Sequence, residues 1–217
     1  NFIFSSSAGV YGNIKTAAKE TMKTKPINYY AWTKLKSEIL IKEYSKKYNF
    51  NYAILRYFNV AGASPGGKIG IMNKKNNSLF KILAKQALKK KPVINIFGNK
   101  HKTKDGTCLR DFIHVSDLAT IHLKALEVLN KKKKSFLINC GYGKGHSVLE
   151  IATLFKRHIN KLTEIRFKEA RKEEIVISYS NTDKMKKILN WKPKYNSLNY
   201  ILKTAVNWQK KINTKNE

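Results

Sequence analysis

At 217 residues, 42% of them apolar, the chain can bury a substantial core as one domain or two small ones, and it holds no apolar run near the ~18 residues of a membrane span. Its net charge of +30 comes from lysines scattered through every segment, with no helix-turn-helix, zinc-finger or RNA-recognition pattern. Dedicated nucleic-acid binding is therefore not expected, although the charge would help draw in an anionic substrate.

In chain order, Asn1–Phe4 is a short apolar run that predicts a buried strand. Because the chain opens without Met and in mid-strand, it is expected to be a fragment, or a reading frame that has lost its front. The run ends in Ser5-Ser6-Ser7-Ala8-Gly9-Val10-Tyr11-Gly12. Small residues after a strand let a ligand approach the backbone; an ordinary serine-rich turn is the plainer reading.

A polar insertion and Pro26 lead to Tyr29–Tyr48, which has no Pro or Gly and carries Leu35, Ile39, Leu40, Tyr44 and Tyr48 as a stripe, predicting a helix. Tyr30 and Lys34, four apart, then share one face. An ammonium near a phenol favours the phenolate, so such a pair can act as a general base. The spacing is common by chance, and a packing aromatic with a surface Lys is the bland alternative.

Tyr52–Val60 predicts a second strand, followed by Ala61-Gly62-Ala63. Strand, helix and strand at this spacing make a β-α-β unit with a parallel sheet, whose ligands gather at the carboxyl ends of the strands. Ser7 and Asn59 both sit there. Ser64–Asn77 reads as a Gly-, Lys- and Asn-rich loop, Ser78–Lys89 as a helix stopped by Pro92, and Val93–Phe97 as a strand ending at Gly98.

After Arg110-Asp111-Phe112-Ile113-His114-Val115, a helix from about Asp117 to Leu129 is expected, capped by Ser116 or Asp117. The Lys run 131–134 reads as a solvated turn and Phe136–Cys140 as a strand. Ser147 and Glu150 form a capping box for a helix to about His158. Ile165–Phe167 reads as an edge strand and Arg171–Ser180 as a polar loop. Short helices are expected from Thr182 or Asp183 to Leu189 and from Ser197 to about Lys211, with a frayed tail beyond Ile212. His114 and His122 read as packed or capping residues, and no metal is assigned. Cys108 and Cys140 lack metal spacing; without a secretory signal they are expected to be reduced thiols of a cytoplasmic protein.

These blocks, in this order, resemble the UDP-glucose 4-epimerases of the extended short-chain dehydrogenase/reductase superfamily. The carriers are Ser5–Gly12, Tyr30-Ala-Trp-Thr-Lys34, Arg56-Tyr-Phe-Asn-Val-Ala-Gly-Ala63, Ile96-Phe-Gly98, Asp105-Gly-Thr107, Arg110–Val115 and Leu189-Asn-Trp191. The resemblance covers nearly the whole chain. It implies an α/β fold: residues 1–63 as the C-terminal part of a Rossmann-like parallel-sheet domain, and 64–217 as a smaller α/β UDP-sugar lobe. Segments around 115–142 would pack back on the sheet.

It also implies that bound NAD takes hydride from sugar C4 and returns it to the other face, interconverting UDP-glucose and UDP-galactose. Tyr30 would be the base, Lys34 would support it and bond the nicotinamide ribose, and Ser7 would hydrogen-bond the 4-oxygen. Tyr57 and Phe58 would lie by the nicotinamide. Asn59, Asn77, Ser78 and Leu79 would contact the diphosphate and uridine, and Asn95, Ile96 and Phe97 the uracil. Arg110 and Arg171 would neutralise the pyrophosphate, and Glu174 would bond the uridine ribose. A homodimer through helices that include the Tyr30 one is implied as well.

Ser78 stands where the family often has Asn, Glu173 where Gly is usual, and Ser178 where a larger residue limits the sugar pocket. The last change would admit N-acetylated sugars. No Gly-x-x-Gly-x-x-Gly turn is present, so weak NAD binding and impaired activity are expected. An epimerase or related enzyme acting on another UDP-sugar, such as UDP-N-acetylglucosamine, and a non-catalytic remnant that binds UDP-sugar or a partner are the alternatives.

Overall fold

The computed structural model describes residues 1–73 and 77–214. Residues 74–76 of the expected loop and 215–217 of the expected tail lie outside them. The elements are β1 (Phe2–Ser7), α1 (Tyr29–Tyr48), β2 (Tyr52–Tyr57), β3 (Asn59–Ala61), α2 (Leu79–Gln86), β4 (Val93–Phe97), β5 (Leu109–Arg110) and β6 (Phe112–His114). They continue with α3 (Val115–Lys132), β7 (Phe136–Cys140), β8 (His146–Ser147), α4 (Val148–His158), β9 (Glu164–Lys168), β10 (Ile177–Ser178), α5 (Asp183–Leu189) and α6 (Leu198–Asn213). The fold is α/β, with parallel pairing in each of its sheets. No described helix is long and apolar enough to cross a membrane.

β1, β2 and β7 form a parallel sheet in which Ser7 lies opposite Tyr57, and Tyr57 opposite Cys140. Their carboxyl ends therefore finish level. Ala53, Leu55 and Ile138 alternate onto one face and bury against Ile121, Ala125 and Leu129 of α3 and Met185 and Leu189 of α5. The turn at 190 and Trp191 close this core, with Trp191 donating its ring N–H to Thr120 at 2.8 Å. A second core joins Phe80, Leu83 and Ala84 of α2, Ile94 and Ile96 of β4, Phe155 of α4 and Ile201 and Leu202 of α6.

Two small differences are that α3 runs to Lys132, into the expected lysine turn, and that β10 lies inside the expected loop Arg171–Ser180. Three larger expectations also change in the folded chain. The strand read as Tyr52–Val60 is two strands, because Phe58 is where the backbone leaves β7 for a new partner: Asn59 pairs with Phe112 of β6. A change of partner leaves no mark on alternation. The cap of α3 is His114, whose Nδ1 accepts from the Ser116 N–H at 3.1 Å. Asp117 is drawn elsewhere; its buried carboxylate accepts from the Tyr142 hydroxyl at 2.6 Å and the Tyr195 N–H at 2.9 Å.

The third concerns α1. Its ends match the expectation, and Asn28 caps it through Oδ1, which accepts from the Ala31 N–H at 2.9 Å. Yet Leu40, Tyr44 and Tyr48 are exposed, and the fully buried residues of α1 are Ala31 and Glu38. Helix periodicity sets which residues share a face, but not which face meets the core.

Candidate active site

Ser7 ends β1 and caps a single 3-10 turn, Ala8–Tyr11, its Oγ accepting from the Gly9 N–H at 3.1 Å. Since a hydroxyl has one donor and two acceptor sites, the Ser7 O–H stays available to donate. α1 comes close here: a Cβ on Gly9 would sit 3.2 Å from that of Ala31. That approach brings the first turn of α1 beside the serine turn.

Tyr30 follows Asn28, which lines the cleft, and is 59% exposed. Its hydroxyl has no hydrogen-bond partner among the described residues. Lys34 Nζ lies 5.7 Å from the Tyr30 ring centroid and donates to the Ser5 carbonyl at 2.9 Å. The two residues thus share one face and stand above the end of β1. Neither lines the cavities described next.

One cavity of about 370 Å³ is lined by Ser7, Gly9, Asn28, Tyr57, Phe58, Asn59, Arg110, Arg171, Glu174 and Ser178, among others. A second, of about 240 Å³, is lined by Asn77, Ser78, Leu79, Asn95, Phe97 and Cys108. Asn59, Arg110, Arg171 and Glu174 line both, so the two are halves of one cleft. It runs from the level ends of β1 and β2 to the outer face of β4. Ile96 stands apart: its side chain is buried in the second core, so only its backbone faces the strand edge.

The polar groups of the cleft are pre-positioned. Arg110 Nη2 bonds Glu174 Oε1 at 2.8 Å, and Nη1 donates to the Leu109 and Val176 carbonyls at 2.9 and 3.2 Å. The Arg171 guanidinium lies 4.1 Å from the Phe97 ring centroid. Ser178 pairs with Arg110 across β5 and β10. Beneath them the buried Asp111 carboxylate accepts from the Tyr142 N–H at 2.8 Å, the Gly143 N–H at 2.9 Å and the Ser180 hydroxyl at 2.5 Å. Asp111 thus ties the arginine strand to the end of β7.

Tyr57 donates to Ser5 Oγ at 2.6 Å and bonds His122 Nε2; burial raises its hydroxyl to a pKa of about 12. It is a neutral donor at ordinary pH, not a base. Burial likewise raises the Cys108 and Cys140 thiols, making both poor nucleophiles.

Sequence reading missed a buried polar network under the cleft. Glu38 of α1 receives two bonds from Arg56 of β2, from Nε at 2.9 Å and Nη2 at 2.6 Å, and one from Ser6 Oγ at 2.5 Å. Tyr11 extends it to Asn139 at 2.7 Å. The available signal was Arg56, a charge inside an apolar strand, which demands a buried partner.

Residues 1–141 match the model of the NAD dependent epimerase/dehydratase family. A UDP-glucose 4-epimerase of Azospirillum brasilense is 36% identical over 97% of this chain and 61% of its own length. Among solved structures, a UDP-glucose 4-epimerase of Stenotrophomonas maltophila, with bound NAD and formylated UDP-arabinopyranose, superposes with a TM-score of 0.92 at 32% identity. That match covers 98% of this chain and 64% of the other. The UDP-Glc/GlcNAc 4-epimerase of Campylobacter jejuni gives 0.74 at 38% identity, over 97% and 64%. The chain thus spans less than two thirds of these relatives.

Proposed function

The chain belongs to the NAD dependent epimerase/dehydratase family, and from that membership we propose that it carries the catalytic and nucleotide-sugar-binding groups of a UDP-glucose 4-epimerase. The reaction interconverts UDP-glucose and UDP-galactose through transient oxidation at C4. One observation carries the reading: Ser7, Asn59, Arg110 and the Arg171–Glu174 segment, far apart in sequence from one another, line one cleft. Two guanidinium groups suit a diphosphate, and the ring of Phe97 and amide of Asn95 suit a uracil. On this reading residues 1–63, with 115–142, form the cofactor-side sheet, and 64–217 the nucleotide lobe.

The chain's own groups divide the work. Tyr30 takes the proton of the 4-hydroxyl and returns it, its oxygen having no hydrogen-bond partner among the described residues. Lys34 places a positive charge one turn away. Ser7 donates its free O–H to the 4-oxygen. NAD, when bound, supplies the hydride acceptor and donor at C4. The exposed Tyr30 and the Lys34 ammonium beside β1 fit its nicotinamide-ribose end. The 217-residue sequence contains no Gly-x-x-Gly-x-x-Gly turn for its diphosphate. Exposed Tyr29, Trp32 and Leu40 on α1 support a homodimer through that helix. The two free, buried thiols fit a cytoplasmic setting.

Calorimetric titration with UDP tests the reading. Saturable binding that Arg171→Gln weakens supports it. Absence of binding, or binding indifferent to that change, overturns it.

A further inference from the structure

We propose that Glu38 is a positioning residue: its buried pairing with Arg56 and Ser6 sets the register of α1 on the sheet, and so fixes where Tyr30 and Lys34 stand relative to Ser7. This rests on the functional reading of Tyr30 and Ser7 given above.

α1 is held to the sheet in an unusual way. Its long apolar side chains at 40, 44 and 48 face outward, and its fully buried residues are a small one, Ala31, and a charged one, Glu38. Apolar contact is non-directional and tolerates a small slide. The Glu38–Arg56 pair does not. Two N–H···O bonds of 2.9 and 2.6 Å, from Nε to Oε1 and from Nη2 to Oε2, hold the carboxylate at two points at once, and both side chains are almost wholly buried. A slide would leave buried charges unpaired, which is costly.

Glu38 is also the right residue to transmit that constraint. Tyr30, Lys34 and Glu38 are spaced by four along α1, so they lie on one face. On the sheet side, each partner of Glu38 neighbours a group of the candidate site. Ser6 precedes Ser7. Arg56 precedes Tyr57, which stands opposite Ser7 in the ladder. Lys34 adds its own bond to the Ser5 carbonyl, one residue before Ser6. Helix and strand are therefore pinned at adjacent points, and Tyr30 is carried at the free end of the pinned face.

The far side of Arg56 is fitted too. Its Nη1 is buried with no hydrogen-bond partner among the described residues, and its guanidinium carbon lies 4.7 Å from the Tyr11 ring centroid. Tyr11 closes the 3-10 turn that Ser7 opens, and it bonds Asn139 of β7. One guanidinium thus braces both α1 and the serine turn. For stability alone, a well-packed apolar pair would serve as well. Only the ion pair specifies one register.

The test separates register from stability. Fluorotyrosine is placed at position 30 of the full 217-residue chain, and its fluorine NMR line is compared between the parent and Glu38→Met/Arg56→Met. The double variant is expected to melt cooperatively and to bind UDP like the parent, while its fluorine line moves by more than its own width or splits. A line superposable on the parent's overturns the proposal. If the double variant does not fold, Arg56→Lys keeps the charge but lacks the two-pronged donor. A shifted line there supports the proposal, and an unshifted one overturns it. Failure of the parent to bind UDP strikes the functional reading instead, and leaves the fluorine comparison to decide the register.

Discussion

Arg110 and Glu174 meet across the cleft, 2.8 Å apart, from β5 and the segment before β10. Each side chain is about one-sixth exposed, at 15% and 17%. The pair is neither buried enough to be purely structural nor open enough to be idle. Glu174 holds the guanidinium in place, and the Leu109 and Val176 carbonyls fix its other edge. A diphosphate entering the cleft therefore meets an oriented donor.

Arg110→Gln should weaken UDP binding by roughly tenfold or more, since a charge-assisted bond is worth ~1.5–3 kcal/mol and the freed Glu174 repels the anion. Calorimetry on both proteins reads this directly, with the melting temperature as a control for folding.

Ser178 lines the cleft with Ser7 and Asn59. On the epimerase reading proposed above, a small side chain there would leave room for a sugar bearing an N-acetyl group. Ser178→Tyr should lower the affinity for UDP-N-acetylglucosamine by about tenfold, the cost of mild overpacking, and leave UDP binding unchanged. Competition of the two ligands against a fluorescent UDP analogue measures the ratio.

Glu173 adopts a φ of 57°, the left-handed region that favours glycine, in the loop after Arg171. Glu173→Gly should stabilise the chain by roughly 0.5–1 kcal/mol, the relieved strain being partly offset by glycine's greater unfolded-state freedom. Urea unfolding at fixed pH gives the difference.

His114 is buried, caps α3, and packs its ring 4.9 Å from that of Tyr195. Burial lowers its pKa below the ordinary 6.5, against the opposing pull of Asp117. The unfolded chain then binds more protons than the folded one below pH 6.5, so stability rises with pH in that window. His114's share is fully present above 6.5 and is lost as pH falls through 6.5 toward the folded value. His114→Asn keeps a capping oxygen and removes the titration. Melting temperatures from pH 7.5 to 5 should fall less steeply in that variant than in the parent.

The linear order of residues determined much of this protein by itself. Local signals lie within a few positions of one another, so α1, β4, β7 and the Ser147–Glu150 box of α4 have the ends that the sequence predicts. The pairing of Tyr30 with Lys34 was legible for the same reason, because helical spacing alone puts them on one face. Tertiary structure decided what depends on partners distant in sequence. It split 52–60 into two strands at Phe58, moved the cap of α3 to His114, and turned Leu40, Tyr44 and Tyr48 of α1 outward while Leu35 packs inward. It sent the Ile96 side chain into the core while Asn95 and Phe97 face the cleft. It also joined Glu38 to Arg56 and Arg110 to Glu174. Those contacts are set by which surfaces meet once the core closes, and no periodicity along one segment carries that information.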